Sequence, residues 1–511
     1  DLMTDENCLT ICMPTGTGKS RIIYNDILDN LMLPTFDTFV VASHRLLLNV
    51  QHFNELFETF RPILSGVGFI FVGSYQIDLD EFVCNKESNN LLQTLGINYN
   101  DIISSATDTG RISRLVEDHK NNGRDVIIIT TYHSLDKLRY LEIHSLYCDE
   151  AHFLASDKEI SMFKNNFEQI NAKRKFFFTA TPKDLIDETT DAFLMNNENI
   201  FGKRHGLSFR EALDESLIVK PYIHLIEPHN LKATKKYLSP QNYGKIILDG
   251  LAKHRTALEQ YSKEPEKCRA KILVKCPGVD DMWKIKKYLD KDPENRVKVL
   301  CGASWTPKEF CYYNGKEGVN SKTSFLKILQ NLPDEEEAII LHYDILSEGI
   351  DVPGITGVMF LSNTLPTKSK ILQTIGRSTR LHPEDRKNLT DGRLAKCDYK
   401  NYIKPYCAVL LPVLDNEMRF STDEIARMII ELRDTYDFEA NMRISLGEDL
   451  SRGPKANEME GLNDIGTSKS LFSKIAEINH TIEIFDAEYR EELIESEIKR
   501  IYEMSIYVTS L

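Results

Sequence analysis

The sequence lacks several features by which whole classes of protein are recognised. No stretch of its 511 residues approaches the roughly 18 consecutive apolar residues of a membrane-spanning helix, and no signal-peptide pattern appears at the N-terminus. The ten cysteines are scattered and form no C-x-x-C pair, which argues against a zinc site and against a disulfide framework. We therefore expect an intracellular protein, cytoplasmic or nuclear, that is not secreted and has no membrane partner.

Positively charged residues are fewer than negatively charged ones. The chain has 63 Lys and Arg residues against 77 Asp and Glu, which gives a net charge of -14. This excludes a generally basic, histone-like binder of nucleic acid, although a local basic cleft can lie on an acidic protein. With 41 % hydrophobic and 27 % charged residues the composition is otherwise that of an ordinary globular protein, long enough for two to four domains.

A glycine-rich stretch near the N-terminus carries the first chemical signal, Met13-Pro14-Thr15-Gly16-Thr17-Gly18-Lys19-Ser20. It follows an apolar run that predicts a strand and opens an amphipathic helix, as a phosphate-binding loop does. The glycines let backbone N–H groups approach phosphate oxygens, and the helix N-terminus adds positive potential. Lys19 can reach the β- and γ-phosphates, and the Ser20 hydroxyl can ligate Mg²⁺. Because Met13 stands where the usual pattern has Gly, a glycine turn before an ordinary helix remains the alternative at this point.

Apolar runs alternate with helical stretches through the first half of the chain. The runs predict strands at 38–42, 69–72, 126–129, 145–148 and 176–178. Residues 78–123 are polar and predict loops with one helix around 111–120. This alternation indicates a parallel sheet covered on both faces, in which ligands bind at the carboxyl ends of strands.

Asp149 and Glu150 directly follow one of these predicted strands. Asp149 would hold Mg²⁺ from the side opposite Ser20, and Glu150 would polarise the water that attacks the γ-phosphate. A single Asp-Glu pair at a strand end is more often a solvated turn. Its place within D-E-A-H, downstream of a phosphate-binding loop, favours the catalytic interpretation.

Five motifs in this order resemble those of superfamily 2 helicases and translocases. T-G-T-G-K-S at 15–20, D-E-A-H at 149–152 and T-A-T-P at 179–182 resemble motifs I, II and III. S-E-G-I-D-V-P at 347–353 resembles motif V, and Q-T-I-G-R-S-T-R at 373–380 resembles motif VI. Glu348 stands where many relatives carry Arg, so it receives no role.

The resemblance implies an α/β fold of two tandem RecA-like domains with parallel sheets, at 1–221 and 222–413, and a mostly helical C-terminal segment at 414–511. A second strand series at 222–225, 271–275, 297–300, 338–341, 357–361 and 407–411 agrees with the second domain. ATP would bind in the cleft between the domains, and its hydrolysis would drive movement or unwinding. The implied catalytic residues are Lys19, Asp149, Glu150, Gln373, Arg377 and Arg380.

Further roles follow from the same resemblance. Arg377 and Arg380 are three residues apart, so on a helix they would share one face and stabilise charge on the transferred phosphoryl group. Thr179 and Thr181 would couple ATP hydrolysis to nucleic acid. The implied ATP-binding residues are Pro14, Thr15, Gly16, Thr17, Gly18, Lys19, Ser20, Gly349 and Asp351.

The contacts to nucleic acid are predicted at strand ends beside the ATP site. Hydroxyls and backbone N–H groups suit phosphate oxygens, which positions a strand without reading its sequence. The alternative is that Thr130 and Thr131 merely form a turn. The candidate residues are Ser43, His44, Arg45, Thr130, Thr131, Tyr132, Cys276 and Gly278.

The predicted activity is ATP-dependent translocation along nucleic acid or unwinding of it, with ATP and Mg²⁺ as cofactors. S-F-R-E-A-L at 208–213, S-E-G-I-D-V-P and G-R-S-T-R look like the motor subunits of type I and type III restriction systems and related viral, phage and repair helicases. This favours DNA over RNA. An RNA helicase, an ATP-switched sensor or scaffold that binds duplex without unwinding, and an ATPase acting on a protein remain alternatives. The C-terminal segment could dock a protein partner.

Overall fold

The computed structural model describes residues 3, 6–31, 35–73, 96–155, 162–183, 193–226, 239–292, 295, 297–303, 310–313, 317–319, 328–329, 331–343, 354–361, 368–412 and 444–445. These residues fall into two compact units, of which the first ends at Ser208 and the second begins at Phe209. Gly349 and Asp351 lie outside the described residues, as does the segment 414–511 apart from residues 444–445. The helical C-terminal segment therefore stays a prediction.

The first unit contains an eight-stranded sheet in which all neighbouring strands are parallel. Its strands are β1 (Cys8–Cys12), β2 (Thr38–Ser43), β3 (Val67–Val72), β4 (Ile103–Ala106), β5 (Asp125–Thr131), β6 (Ile143–Asp149), β7 (Ala172–Thr179) and β8 (Lys203–Gly206). Their order across the sheet is β4-β3-β5-β2-β6-β7-β1-β8. Because β6, β7 and β1 are neighbours, the residues that follow their carboxyl ends share one edge of the sheet.

The connections of the first unit include six α-helices and several short 3₁₀ helices. The helix predicted around 111–120 is present, and it begins where the Asp108 carboxylate accepts a hydrogen bond from the backbone N–H of Arg111 at 2.9 Å. The α-helices are α1 (Lys19–Asn30), α2 (Leu46–Thr59), α3 (Tyr99–Ile102), α4 (Thr109–Asn121), α5 (Met162–Glu168) and α6 (Glu198–Phe201). The 3₁₀ helices are Arg61–Gly66, Tyr132–Leu138 and Ala151–Phe153.

Both faces of this sheet are covered, which explains the continuous apolar runs of its strands. Phe39 and Val41 of β2 belong to one buried cluster, together with Phe53 of α2. Val40 of the same strand belongs to a second cluster, together with Val116 of α4. Alternate residues of a strand point to opposite faces, so a strand covered on both sides has no polar face. Each fully buried side chain of this size contributes about 1.5–3 kcal/mol to stability.

Two short strands of this sheet were not predicted from the sequence. β4 pairs with β3, and β8 pairs with β1 at the edge of the sheet. They read Ile-Ser-Ser-Ala and Lys-Arg-His-Gly, so neither has the apolar run by which the other strands are recognised. β8 lies so close to β1 that a Cβ on Gly206 would come 2.0 Å from the carbonyl oxygen of Cys12, and only glycine fits there.

The second unit contains a nine-stranded sheet with the order β13-β12-β11-β14-β10-β15-β16-β9-β17. The six strands predicted for this half are present and parallel, and β12 and β13 add an unpredicted antiparallel edge. The strands are β9 (Lys220–Ile226), β10 (Lys271–Lys275), β11 (Lys298–Ala303), β12 (Phe310–Tyr313), β13 (Glu317–Val319), β14 (Ala338–Tyr343), β15 (Gly357–Phe360), β16 (Tyr406–Pro412) and β17 (Ile444–Ser445).

The helices of the second unit lie between these strands in the chain. One face of the sheet packs on a cluster that includes Ile246 of the longest helix and Ile285 of the next one. Over the part of the chain that the structure describes, no helix is long and apolar enough to cross a membrane. The helices are α7 (Phe209–Asp214), α8 (Pro240–Tyr261), α9 (Val279–Lys291), α10 (Lys368–Ser378) and α11 (Pro383–Thr390), with a 3₁₀ helix at Tyr399–Asn401.

The chain enters the second unit earlier than the boundary at 221 that the sequence suggests. The Tyr399 hydroxyl donates a hydrogen bond to the carbonyl oxygen of Leu213 at 3.0 Å. The backbone N–H of Cys397 donates to the Ser216 hydroxyl at 2.7 Å. These bonds attach the segment after Ser208 to the second unit, although its sequence reads as a connection.

Candidate functional site

The glycine-rich loop joins β1 to α1 at the carboxyl edge of the first sheet. Gly16 and Gly18 have φ angles of 89° and 103°, in the left-handed region that glycine adopts without strain. Gly18 is also the residue that caps α1, so the helix begins with no side-chain cap on its N–H groups. The backbone N–H of Met13 donates to the carbonyl oxygen of Thr179 at 3.0 Å, which holds the start of the loop against the end of β7.

Lys19 folds back over this loop. Its ammonium group lies 3.1 Å from the carbonyl oxygen of Met13 and 3.3 Å from that of Pro14, and the residue is only 8 % exposed. The Thr17 hydroxyl donates to the same Pro14 oxygen at 2.8 Å and stabilises the turn. A buried cation therefore lies beside the uncapped helix N-terminus, which is the electrostatic arrangement that anions prefer.

Asp149 is the last residue of β6 and is buried. Its Oδ2 atom lies 3.1 Å from Nε2 of His52, and its carbonyl oxygen accepts a hydrogen bond from the Tyr132 hydroxyl at 2.6 Å. Burial by itself would raise the pKa of the Asp149 carboxyl, but His52 and the nearby Lys19 hold that pKa below its ordinary value. Burial would lower the pKa of His52, but Asp149 raises it instead.

Glu150 follows with unusual backbone geometry. Its φ and ψ angles are 54° and 48°, a left-handed conformation that is uncommon for a residue other than glycine. The residue is 6 % exposed, and its Oε2 atom has no hydrogen-bond partner among the described residues. Nδ1 of His152 lies 3.4 Å from this oxygen. A buried carboxylate oxygen without a hydrogen bond is costly, so it indicates a site that a water molecule or a substrate completes.

Thr179, at the end of β7, joins these groups. Its hydroxyl lies 3.0 Å from Nδ1 of His152 and accepts a hydrogen bond from the backbone N–H of Thr181 at 3.1 Å. The D-E-A-H and T-A-T-P segments are therefore in direct contact. Because Met13 is bonded to the carbonyl of the same Thr179, all three motifs of the first unit meet here.

An aromatic stack extends from His152. The ring of Phe153 lies 4.3 Å from that of His152, with a tilt of 39°. The His44 ring stacks on Phe153 at 3.8 Å, with a tilt of only 12°. The stack thus connects the D-E-A-H segment to one of the residues predicted to contact nucleic acid.

The predicted nucleic-acid contacts of the first unit lie on neighbouring strand ends. In the register of β2 and β5, Ser43 lies opposite Thr131. The side chains of Ser43, Thr130 and Tyr132 are buried, and those of Thr130 and Tyr132 donate hydrogen bonds inside the protein. His44, Arg45 and Thr131 are partly exposed. Polar side-chain contact to a ligand is thus open to Arg45 and Thr131, while both ring nitrogens of His44 are buried and the first group supports the strand ends.

The predicted residues of the second unit that the structure describes follow β10, lie on α10 or come directly after that helix. Cys276 is buried directly after β10, and Gly278 caps α9. Gln373 and Arg377 are one turn apart on α10, and each is only 3 % exposed. Burial, together with the charges of Lys275 and Arg377, keeps the pKa of His342 well below its ordinary value, so a neutral imidazole lies beside these cations.

Arg380 departs from the prediction that it shares a helix face with Arg377. α10 ends at Ser378, and Arg380 forms an isolated antiparallel bridge with Ile218. The Ser378 hydroxyl donates to the carbonyl oxygen of Ile375 at 2.8 Å, which offers the backbone an alternative to continued helix. The buried ammonium of Lys404 donates to the carbonyl oxygen of Arg380 at 2.7 Å and fixes this turn, and burial lowers the pKa of Lys404 to about 8.

Sequence reasoning missed His52, Tyr24 and Phe153. His52 lies on the buried stripe of α2, where Asn49 is likewise buried. A polar residue at an apolar position of an amphipathic helix is a usable signal, because such a group needs a partner. Phe153 carried no signal, since one aromatic residue after D-E-A-H is equally typical of a core position.

Comparison with known proteins places these features in context. Residues 2–184 match the sequence model of a family described as "Type III restriction enzyme, res subunit". Among curated proteins, none matches significantly. The ATP-dependent Type ISP restriction-modification enzyme LlaBIII bound to DNA has a similar structure, with 14 % identity and a TM-score of 0.56, over 92 % of this chain and 32 % of that one. At this identity the likeness shows the fold, two tandem RecA-like domains.

Two further solved structures have lower similarity. A nuclease-deletion mutant of the Type ISP enzyme LlaGI in complex with a DNA substrate mimic is 13 % identical with a TM-score of 0.45, covering 98 % of this chain and 32 % of that one. The DEAD-box helicase Mss116 bound to ssRNA and UDP-BeF is 15 % identical with a TM-score of 0.45, covering 100 % of this chain and 85 % of that one. This chain spans about a third of the length of both Type ISP enzymes.

Proposed function

We propose that this chain, a superfamily 2 helicase or translocase by its ordered motifs, matched domain and fold, hydrolyses ATP to move along nucleic acid or to unwind it. The observation that carries the proposal is the meeting of three strand ends. The glycine-rich loop after β1, Thr179 at the end of β7 and Asp149 at the end of β6 lie on adjacent strands, with Lys19 close enough to lower the pKa of Asp149. This is where a parallel sheet binds its ligand.

The residues present fit a nucleoside triphosphate. The loop offers the N–H groups of an uncapped helix, and Lys19 lies buried beside them. We assign phosphate binding to the loop residues from Pro14 to Ser20. Gly349 and Asp351 remain predicted contacts, since they lie outside the described residues.

The same place fits a magnesium ion. Mg²⁺ takes oxygen ligands and is typically held by one or two carboxylates together with substrate phosphates. Asp149 offers a carboxylate of low pKa, and Ser20 at the start of α1 offers a hydroxyl. When bound, the ion would neutralise charge on the phosphate oxygens. Within the described residues no group of three or more His, Cys, Asp and Glu could hold a metal.

The protein's own groups supply the remaining chemistry. Glu150 accepts a proton from the attacking water through its buried, unbonded Oε2 atom. Lys19 holds the phosphate whose charge increases in the transition state. In the second unit, Gln373, Arg377 and Arg380 keep their predicted roles at the γ-phosphate, which rest on the resemblance.

Coupling to nucleic acid runs through the contacts of His152. We assign Thr179 and Thr181 to this coupling, because Thr179 bonds both to His152 and to the backbone of Thr181. The stack through Phe153 reaches His44, one of the predicted nucleic-acid contacts. A shift of His44 on binding would therefore be transmitted to the carboxylate of Glu150, which lies 3.4 Å from His152.

DNA is the proposed substrate in preference to RNA. The support is the match of residues 2–184 to the restriction-subunit family and the resemblance of motifs V and VI to restriction motors. Since nucleic-acid contacts in such proteins go mainly to the backbone, the preference concerns the type of strand and not its sequence.

The test is ATP hydrolysis with and without single- and double-stranded DNA and RNA. We expect stimulation by nucleic acid, greater with DNA, and no hydrolysis in Lys19→Ala under any condition. Lys203→Ala, on the exposed edge strand β8, is the matched control and should behave as the unmodified protein. A rate that no nucleic acid changes would refute the motor assignment and favour an ATPase that acts on a protein. Stimulation by duplex without strand movement would favour a sensor.

A further inference from the structure

We propose that His52 is a positioning residue for the metal-binding carboxylate: anchored by Tyr24, it holds one oxygen of Asp149 and orients the carboxylate toward the divalent cation. The inference rests on the proposed function, since it concerns the same site. Nothing in the five motifs includes His52 or Tyr24. Both lie on helices whose sequences otherwise read as ordinary amphipathic segments.

The three side chains form a continuous hydrogen-bonded chain. The Tyr24 hydroxyl lies 2.7 Å from Nδ1 of His52, and Nε2 of the same ring lies 3.1 Å from Oδ2 of Asp149. The Tyr24 hydroxyl is also 3.0 Å from Oε2 of Glu55. The rings of Tyr24 and His52 meet edge to face, with centroids 5.9 Å apart and an interplanar angle of 86°.

Proton accounting fixes the direction of the bond to Asp149. A carboxylate can only accept, so Nε2 of His52 must carry the hydrogen. If Tyr24 donates to His52, the ring is neutral with its proton on Nε2. If Tyr24 donates to Glu55 instead, Nδ1 of His52 donates to Tyr24 and both ring nitrogens carry protons. In either arrangement the same N–H points at Asp149, so the tyrosine holds the ring in the orientation that the carboxylate needs.

The chain also joins the elements that carry both predicted metal ligands. Tyr24 lies one helical turn after Ser20 on α1, and Asp149 is the last residue of β6. His52 lies on α2 and contacts both Tyr24 and Asp149. His52 and Tyr24 are each only 3 % exposed, so water does not compete for these bonds. A contact to one carboxylate oxygen leaves acceptor capacity for a cation, because a carboxylate has about four acceptor sites.

A buried ion pair is by itself weak evidence for stability, so the role of His52 must be separated from simple packing. Removing the partner of a metal-ligating group typically weakens metal binding by about 10–100-fold. A histidine that only fills space would change the melting temperature and leave the affinity for the metal intact. Metal affinity is therefore the decisive quantity.

The experiment measures Mn²⁺ binding, in place of Mg²⁺, by electron paramagnetic resonance in the presence of ADP. Three variants are compared with the unmodified protein: His52→Leu, His52→Gln and Tyr24→Phe. We expect His52→Leu to raise the Kd for Mn²⁺ by about tenfold or more. His52→Gln keeps an N–H donor and should recover most of the affinity. Tyr24→Phe removes the anchor together with the contacts of the same hydroxyl to Glu55 and Ser20, and should weaken binding by about threefold.

The controls separate this inference from the proposed function. His144→Gln alters a half-buried histidine at the opposite end of β6 and should bind Mn²⁺ normally. If His52→Leu does not fold, the Mn²⁺ affinities of His52→Gln and Tyr24→Phe decide in its place. An equal Mn²⁺ affinity of Tyr24→Phe and the unmodified protein would refute the anchoring role of Tyr24. Unchanged Mn²⁺ affinity in folded His52→Leu overturns the inference alone. Absence of ADP and Mn²⁺ binding in the unmodified protein would instead overturn the proposed function.

Discussion

Nδ1 of His152 lies 3.0 Å from the hydroxyl of Thr179, and this contact joins the ends of β6 and β7. The two strands are already paired, so the bond adds no new attachment between them. Its effect is local: it fixes the ring of His152, which lies beside the Glu150 carboxylate on one side and the ring of Phe153 on the other. Changes at this point should therefore alter coupling more than folding.

Thr179→Val tests the contact directly. Valine has the same shape but lacks the hydroxyl, so His152 and the backbone of Thr181 each lose a bond. We expect basal ATP hydrolysis within about twofold of the unmodified rate and a stimulation by nucleic acid that is about 3–10-fold lower, the range of one or two hydrogen bonds. Steady-state ATPase assays with saturating DNA measure both quantities.

The control for Thr179→Val is Thr10→Val in the neighbouring strand β1. The Thr10 hydroxyl is also fully buried and donates to the carbonyl oxygen of Phe201 at 2.6 Å, away from the site. It should lose a similar amount of stability and keep full stimulation. Equal loss of stimulation in both variants would show that Thr179 acts through stability alone.

The stack on Phe153 gives a second prediction. Phe153→Ala removes the ring between His44 and His152, while Phe153→Tyr keeps it. An aromatic pair contributes about 0.5–1.5 kcal/mol, so we expect Phe153→Ala to reduce stimulation by about 2–10-fold. Phe153→Tyr should retain it. Titration of ATPase rate against DNA concentration separates weaker binding from weaker coupling, and full stimulation in Phe153→Ala would exclude the stack as a route.

Much of the fold could be predicted because its strands are covered on both faces. β2 and β5 are continuous apolar runs in the sequence for that reason, and their positions agree with the prediction to within two residues at either end. Most of the strands that were missed lie at sheet edges, where one neighbour suffices and polar residues such as Ser104 and Arg204 are tolerated, while β12 lies one strand in from an edge. Their formation depends on tertiary pairing, which local sequence does not encode.

Only the site residues that belong to recognisable sequence motifs could be predicted. Asp149 and Thr179 end strands, so their convergence follows from strand order in a parallel sheet. His52 lies on α2, which connects β2 and β3 in the chain, and no sequence spacing predicts its contact with Asp149. Arg380 was placed on a helix face with Arg377 because the two are three residues apart, yet bonds from the side chains of Ser378 and Thr379 to the preceding turn accompany the end of that helix.

Glu150→Gln gives the third prediction, which joins activity to stability. The amide has the size of the carboxylate but cannot accept the proton of the attacking water, so kcat should fall by about 10²–10⁴-fold with nucleotide affinity unchanged. Because Glu150 is buried with an unbonded oxygen, loss of its charge should leave the melting temperature equal or higher. Glu168→Gln, at an exposed position, is the control and should change neither quantity. Normal turnover would remove Glu150 from the role of base.

The last prediction concerns acid sensitivity of the second unit. Burial, with a smaller effect of Lys253, lowers the pKa of His224 to about 4. Burial also keeps the pKa of His254 well below its ordinary value, and the charges of His224 and Lys404 add to this. The rings of His254 and Tyr406 lie around His224.

The sign follows from proton uptake on unfolding. Between pH 6.5 and about 4 the unfolded chain binds a proton at His224 and the folded chain does not, so stability falls as pH falls through this window. Each such histidine contributes about 1.4 kcal/mol per pH unit at most. His224→Phe should therefore weaken the dependence of stability on pH. Tyr222→Phe, on the same strand, is the control, because it changes packing without removing a group that titrates in this window. Trp283 lies on α9 of the second unit, so its fluorescence during chemical unfolding at pH 7, 6 and 5, measured in proteins that carry Trp305→Phe, reports on that unit. If the free energy of unfolding changes equally with pH in His224→Phe and in the unmodified protein, His224 takes up its proton in the folded state as it does in the unfolded state.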